Sequence, residues 1–520
     1  MQASPSIKLA LYSVFIAFSL SLSSCRSLPP ADEITRTETF AMGADQITYL
    51  SEHVNPAIAA RPNHSGFLML EDGLDAYVAR IKLIEKAEVS VDAQYYIWHN
   101  DSTGLLLANA LLEAAERGVR VRLLLDDLDT SGKDAGLSAL NQHRNIDVRV
   151  YNPFANRSFR LFESVNQLNR VNHRMHNKSL TVDGQVTIIG GRNIGDEYFN
   201  AGGLAAFADL DVLSIGPVVS KVSTMFDSYW NSPWVYPFEY IASQVDDEDL
   251  AILRTNIMAR VQRERSGDFT RAASESRLPL SNFYVENSLY WGRAEVLYDA
   301  PNKGELDSSA DTATHVGANL FNLLRIADHD VLIISAYFVP TDQFVKAMSR
   351  LVNNGVRVRI LTNSLAANDV GIVHAGYINY REALIEAGVE LFEFKPTAPA
   401  GNAHNHSLGI SRASLHAKTF TVDKRYMFVG SFNMDPRSVD LNTEMGVLFE
   451  STLLAKRVSS QFDTSILDRA YRVELDESGN LTWITKENGE QVTFDHEPEV
   501  GLFRRFSVKI LSYIVIESWL

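Results

Sequence analysis

The chain repeats itself. The run Gly118-Val119-Arg120-Val121-Arg122-Leu123-Leu124 returns as Gly355-Val356-Arg357-Val358-Arg359-Ile360-Leu361. Each copy closes a similar stretch. In the first, an apolar strand pattern (Val89 to Ile97) and a helical pattern (Gly104 to Arg117) come before it; in the second, Val331 to Val339 and Phe344 to Asn353 do. A strand, a crossover helix and a parallel strand make one α/β unit. Its recurrence predicts two homologous α/β/α halves, each a mixed sheet with helices on both faces, packed as a pseudo-dimer. The halves are expected over residues 65–243 and 285–475, joined by a charged, helix-prone connector over 244–284 and followed by an extension over 476–520. With 520 residues the chain is long enough to bury two such cores.

A second repeat carries polar residues. Met175-His176-Asn177-Lys178 leads to Asp183 and on to Gly190-Gly191-Arg192-Asn193; Leu415-His416-Ala417-Lys418 leads to Asp423 and on to Gly430-Ser431-Phe432-Asn433. The steps agree throughout: two residues from His to Lys, five from Lys to Asp, seven from Asp to Gly, three from Gly to Asn. Both segments read as strands, so His176 with Lys178, or His416 with Lys418, project from one face and can address one ligand. Asp183 and Asp423 belong to the motif and stay in the candidate catalytic set, but their odd offset from the His puts them on the other face, where turn residues sit. After Asp183-Gly184 the apolar run Val186 to Ile189 returns as a strand and brings Asn193 back to the His end. Two such hairpins about a pseudo-twofold axis gather two His, two Lys and two Asn around one point, a set that suits a tetrahedral anion such as a phosphodiester.

Two copies of HxKxxxxD, each followed by G-(G/S)-x-N, resemble the phospholipase D superfamily. The resemblance runs over roughly residues 65 to 475. Gln94-Tyr95-Tyr96-Ile97-Trp98, Gly190 to Tyr198, Leu361 to Tyr377 and Gly430 to Gly446 are similar to bacterial cardiolipin synthases, most closely their class-C branch. What this implies is a phosphohistidine mechanism that uses no metal and no cofactor. By analogy His176 is the nucleophile and His416 the general acid and base. Lys178, Lys418, Asn193 and Asn433 then stabilise charge on the transferring phosphoryl group. The carboxylates that fix the imidazole tautomers fall, by the same analogy, at Asp209 and Glu444, with Asp211 a competitor for the first. The implied partners are phospholipids, phosphatidylglycerol together with phosphatidylethanolamine, joined by phosphatidyl transfer. A hydrolytic phospholipase D differs only in accepting water. A secreted phosphodiesterase or nuclease and a catalytically idle binding protein are the remaining readings.

Other residues have plainer explanations. His173, His374, His404 and His406 lack the repeated context and read as ordinary polar residues. Tyr95, Tyr96, Trp98, Tyr337 and Phe338 end core strands, where packing competes with lining a lipid entrance. Arg120, Arg122, Arg357 and Arg359 alternate along strands and are expected to solvate an edge. Gly191 stands where the second copy has Ser431, so one hydroxyl donor is missing from the first half. A Gly, Pro, Asn and His-rich loop over 396–411 precedes the second motif and could border the site.

Charge and cysteine usage set the surroundings. A net charge of -16 opposes a nucleic-acid-coating role and counts against the nuclease reading. The single cysteine, Cys25, permits neither an intramolecular disulfide nor a cysteine-rich zinc site. It follows Lys8 and an apolar, serine-containing run from Leu9 to Leu22, and Leu22-Ser23-Ser24-Cys25 resembles a lipobox. Residues 1–24 are therefore expected to be a signal peptide, Cys25 to be lipidated, and the protein to be a membrane-anchored lipoprotein facing the periplasm. Arg26 in place of Asp points to the outer membrane. At the other end, Leu502 to Ile516 mixes Arg504, Arg505 and Lys509 with apolar residues, which suits either a membrane-interface helix or one docked on the protein's own core.

Overall fold

The computed structural model describes residues 28–513 apart from 31–32, 43–44, 158–159, 161–167, 202–205, 243–246, 277–287, 304–314 and 397–412. The expected signal peptide, Cys25, His404, His406 and nearly all of the 396–411 loop lie outside the described residues.

Two mixed sheets carry the fold. In chain order the first half supplies β1 (Ser65–Leu70), β2 (Ser90–Tyr95), β3 (Arg120–Asp126), β4 (Ile146–Tyr151), β5 (Ser179–Val182), β6 (Val186–Gly190), β7 (Ala206–Ala208), β8 (Asp211–Ile215), β9 (Val235–Pro237) and β10 (Tyr290–Gly292). The second supplies β11 (Ala294–Tyr298), β12 (Asp330–Ser335), β13 (Arg357–Asn363), β14 (Glu390–Phe394), β15 (Ala413–Leu415), β16 (Lys418–Val422), β17 (Tyr426–Gly430), β18 (Met445–Glu450), β19 (Ala470–Leu475), β20 (Leu481–Glu487) and β21 (Glu490–Phe494). The sheet orders are β10-β1-β8-β6-β5-β2-β3-β4-β9 and β11-β18-β17-β16-β12-β13-β14-β19-β20-β21. From β1 to β9 and from β11 to β19 the two orders match strand for strand, as the duplication requires. Tyr290–Gly292, inside the range expected for the second half, edges the first sheet on β1. Residues 481–494, inside the expected extension, add two strands to the second sheet.

The repeated stretch is a parallel crossover in both halves. β2 pairs with β3, and β12 with β13, in parallel. Between them run the helices Ser102–Glu116 and Asp342–Asn353, capped by the side chains of Asp101 and Thr341. Both helices end on a glycine in the left-handed region, Gly118 (φ 99) and Gly355 (φ 88). The next amides, Val119 N and Val356 N, donate back to Ala114 O and Leu351 O. That closure needs a residue without a Cβ penalty, and it is why GVRVR starts with Gly.

The halves meet through an apolar seam. Phe67, Ile189, Val212 and Phe226 of the first pack with Met427, Val429, Met445 and Phe449 of the second. The Phe67 and Phe449 rings stack at 4.3 Å. The helix Asp247–Arg265, in the stretch expected to connect the halves, leans on the first, where Arg260 Nη2 donates to Asn100 O at 2.9 Å.

The expectation for Arg122 and Arg359 is corrected. Both are buried. Arg122 bridges Asp92 at 2.7 Å and Asp227 at 2.8 Å, and Arg359 bridges Asp330 at 2.5 Å and Asp463 at 2.8 Å. Asp227 and Asp463 come from the helices Pro217–Trp230 and Thr452–Arg469 that cover the strands. Only Arg120 and Arg357 keep solvent contact.

Candidate active site

Each catalytic candidate is delivered by its own half and clamped by the other. The backbone of His176 donates to Thr443 O (2.8 Å), and Thr443 N donates to Arg174 O (2.9 Å). Crosswise, β15 pairs in parallel with β7, and His416 N donates to Ala208 O (2.8 Å). The residues that follow these clamps are the carboxylates. His176 Nδ1 lies 2.9 Å from Glu444 Oε2 and 3.1 Å from Ser431 O. His416 Nδ1 lies 2.5 Å from Asp209 Oδ2. Asp211 goes elsewhere, to Arg80 at 2.8 Å and Arg192 at 3.4 Å. With Nδ1 taken up, each imidazole turns Nε2 away from its carboxylate.

The lysines lie beside them. Lys178 Nζ donates to His176 O (2.6 Å), and Lys418 Nζ donates to His416 O. Both are buried, with no carboxylate within ion-pair distance among the described residues. An ammonium has three donors, so each has capacity left for an anion. Burial pulls the Lys178 ammonium well below its ordinary value and that of Lys418 down to about 8. His176 is lowered well below the usual imidazole range by burial, then by Lys178, Lys418 and His416. His416 is lowered by burial and by Lys418, with Asp209 opposing and Lys178 adding to the fall. Charges from both halves therefore act on both imidazoles, which marks one shared centre. An entering phosphodiester anion would restore both lysines to full charge.

The asparagines frame that centre. Asn193 Oδ1 accepts from Ile97 N (3.2 Å), and its amide donates to the Tyr198 hydroxyl (3.0 Å). Asn433 Oδ1 accepts from Tyr337 N (3.4 Å). Rings stand against the imidazoles: Tyr96 at 4.9 Å from His176, with Phe207 at 5.1 Å and Tyr198 at 5.3 Å from His416. Tyr96 and Tyr337 thus line the site and lie under Lys178 and Lys418, whereas Tyr95 and Phe338 are core residues.

Asp183 and Asp423 are corrected from candidate catalysts to fold residues. The Asp183 carboxylate accepts from the backbone of Glu88, Val89 and Ser90, and that of Asp423 from Asp328, His329 and Asp330. Both turn with positive φ, 52° and 53°. They tie each motif hairpin to the start of β2 or β12, and neither bonds an imidazole.

Two residues escaped the sequence reading. Asp126 ends β3 and accepts from Met175 N (2.8 Å); Asn363 ends β13 and accepts from Leu415 N (2.8 Å). Each latches the residue before a candidate catalytic His. Their signal was the GVRVR repeat itself, since both close it at the same position. Gly191 also gains a reason: a Cβ there would come within 2.1 Å of Asp209 Oδ1. For metal ligation, one group among the described residues brings its ligand atoms within 4.8 Å, His99, Asp101 and Glu197. It has no hydrogen bond to either imidazole.

A family model described as "Cardiolipin synthase, PLD-like domain" matches twice, over residues 81–230 and 320–466, once around each motif. The chain belongs to this family. It is 43% identical to cardiolipin synthase C of Escherichia coli (strain K12), across 91% of this chain and 99% of that one. Cardiolipin synthase B of Shigella flexneri is 27% identical over 73% of this chain and 75% of its own. Among solved structures, phosphatidylserine synthase of Haemophilus influenzae Rd KW20 shares the fold, with a TM-score of 0.55 at 15% identity, covering 88% of this chain and 96% of that one. The two matched segments of the PLD-like domain contain every His, Lys and Asn of the centre, and also Asp209 and Glu444.

Proposed function

We propose that the protein transfers a phosphatidyl group between phospholipids, forming cardiolipin through a phosphohistidine intermediate. The observation that carries this reading is the crosswise clamp: two imidazoles, each oriented by a carboxylate of the other half, beside two buried lysines that have no carboxylate within ion-pair distance among the described residues. His176 Nε2 attacks phosphorus and the bond to the first alcohol breaks. That oxygen takes the proton on His416 Nε2. A glycerol hydroxyl of the second lipid then gives its proton to His416 and attacks phosphorus, and the bond to His176 breaks. Lys178, Lys418, Asn193 and Asn433 carry the extra charge on the phosphoryl oxygens in both steps.

The division of roles between the two imidazoles rests on analogy with the family, and two features of their surroundings support it. Burial and two ammonium groups keep His176 unprotonated, as a nucleophile must be. Burial alone would raise Asp209, but His416, Lys418 and Arg192 hold it below its ordinary value. An ionised Asp209 supports the proton that His416 has to carry. A lipid rather than a nucleotide is favoured by the apolar cavity of about 350 Å³ beside Tyr96, lined by Leu105, Leu112, Leu125, Leu137 and Leu140. Phosphatidylglycerol is the proposed acceptor and phosphatidylethanolamine the proposed donor, consistent with the likeness to the class-C branch.

Purified enzyme with vesicles of both lipids should give cardiolipin in excess of phosphatidic acid. Water is present at ~55 M, so transfer wins only if the acceptor is held in near-attack geometry, worth effective molarities of ~10⁵ M or more. Phosphatidic acid as main product would replace the transferase with a hydrolytic phospholipase D. A lipoprotein anchor at Cys25, facing the periplasm from the outer membrane, belongs to the same proposal and rests on the Leu22-Ser23-Ser24-Cys25 sequence. Fatty-acid labelling that persists in Cys25→Ser would remove it. Among the described residues no helix is long and apolar enough to cross a membrane.

A further inference from the structure

The helix Leu502–Ser512 docks by one face and leaves the opposite face bare. On the docked side Val508 packs with Leu365 and Ala375, Arg504 Nη2 donates to Asn368 O (2.9 Å), and Asn379 Nδ2 donates to Ser512 O (3.1 Å). On the other side Phe503, Phe506, Ile510 and Tyr513 follow one another at steps of three, four and three, a spacing that lines them up along one stripe. They are 86%, 64%, 43% and 79% exposed, and Leu502 beside them is 79% exposed. A contiguous apolar stripe of this size marks an interaction surface.

Charge says what covers it. The helix sequence LFRRFSVKILS holds three basic residues and no acid. Arg505 and the exposed Lys509 run along the edge of the stripe. A second copy laid on the same stripe would bring like charges together. An anionic lipid surface satisfies both the rings and the cations. The chain as a whole carries -16, so its net charge opposes such a membrane while the basic helix attracts it locally.

Its place in the fold matters too. Asn368, which accepts from Arg504, precedes Asp369, whose carboxylate accepts from the Tyr337 hydroxyl (2.9 Å), and the Tyr337 ring stands 6.5 Å from that of His416. We infer that this helix lies in the interface of an anionic bilayer and sets the His416 side of the site against the lipid surface. The inference rests on the lipid-transfer reading only for its purpose, since insertion can be measured without turnover.

Cys25 is the sole cysteine, so the full chain carrying Cys25→Ser and Phe506→Cys takes one environment-sensitive fluorophore. In vesicles of phosphatidylcholine with phosphatidylglycerol the label should shift to the blue and be quenched by spin-labelled lipid. The same label in Glu477→Cys, on an exposed turn, should stay water-like. A water-like spectrum at position 506 overturns the inference. So does a blue shift without lipid quenching, which would mean a second copy covers the stripe, and so does equal insertion into vesicles lacking phosphatidylglycerol. As a second readout, the combined Phe503→Ser, Phe506→Ser and Ile510→Ser variant should raise the half-saturating lipid surface concentration about tenfold while leaving turnover on detergent-dispersed lipid unchanged. An unchanged half-saturation point would contradict the assignment. Insertion without any cardiolipin formation would instead remove the proposed activity and keep the membrane helix.

Discussion

The two halves hold their histidines with different chemistry. On the His416 side the carboxylate is short, Asp209, and the space next to it is kept open by Gly191. On the His176 side it is longer, Glu444, and the matching space is filled by Ser431, whose hydroxyl donates to Glu444 together with that of Ser438. The charges diverge accordingly. Asp209 is held below its ordinary value, whereas burial, only partly opposed by Lys178, pushes Glu444 up to about 7. At this point the two copies of the duplicated scaffold differ by one methylene and one hydroxyl. In the proposed mechanism Glu444 accepts from Nδ1–H of the imidazole that attacks, and Asp209 supports the imidazole that carries the proton.

The largest effects should come from the imidazoles. His176→Ala and His416→Ala should each lower turnover by ~10³-fold or more. They should then part company. His416→Ala should still take a phosphatidyl group on His176 from a donor whose leaving group needs no proton, and His176→Ala should not. Equal loss of that first step in both variants would erase the distinction between the halves. Next come the lysines, where Lys178→Met or Lys418→Met should cost ~10²- to 10³-fold in kcat, as loss of a phosphoryl-oxygen donor does.

Swapping the residues beside the carboxylates sharpens the comparison. Gly191→Ser drives a side chain into Asp209 and should cost ~10²-fold, while Ser431→Ala removes one hydrogen bond from Glu444 and should cost about tenfold. Steady-state kinetics that ranked them the other way would refute the geometric reason for the difference.

Stability should respond with opposite signs. Glu444 takes up a proton on folding between pH 4.5 and 7, because its folded value lies above its unfolded one. Its contribution therefore falls as pH rises through that window. Glu444→Gln should stabilise the protein at pH 8 by about 3 kcal/mol, less whatever its hydrogen bonds lose, and give no such gain below pH 4.5. Asp209 behaves in reverse. Its lowered value stabilises the fold above the ordinary Asp range and is lost as pH falls, so Asp209→Asn should destabilise at neutral pH. Denaturant titrations across pH read both signs.

How far the sequence reaches is visible in particular residues. Spacing alone brought His176, Lys178 and Asn193 together with His416, Lys418 and Asn433, because a strand's period of two and a returning hairpin fix which side chains converge. The topology was equally legible: GVRVR closes a parallel crossover in each sheet. The burial of Arg122 and Arg359 was not, since alternation tells which face a side chain takes and not what covers that face. Their partners Asp227 and Asp463 lie on helices about a hundred residues further along the chain. The crosswise strand pair β7–β15 was hidden for the same reason, with no local pattern announcing a partner in the other half. Asp126 and Asn363 were hidden differently. They end the repeated strand at the same position but as unlike residues, so the repeat marked the place and the backbone amides they accept from show the task.

The central claim is that His176 takes the phosphatidyl group and His416 moves the proton. Its most direct test is to incubate His416→Ala with a phosphatidyl donor bearing an activated leaving group, quench without acid, and locate the adduct by peptide mass spectrometry. The account predicts a phosphatidyl group on His176 and none in His176→Ala treated alike. An adduct on His416 in His176→Ala, with none on His176 in His416→Ala, would reverse the roles of the two halves.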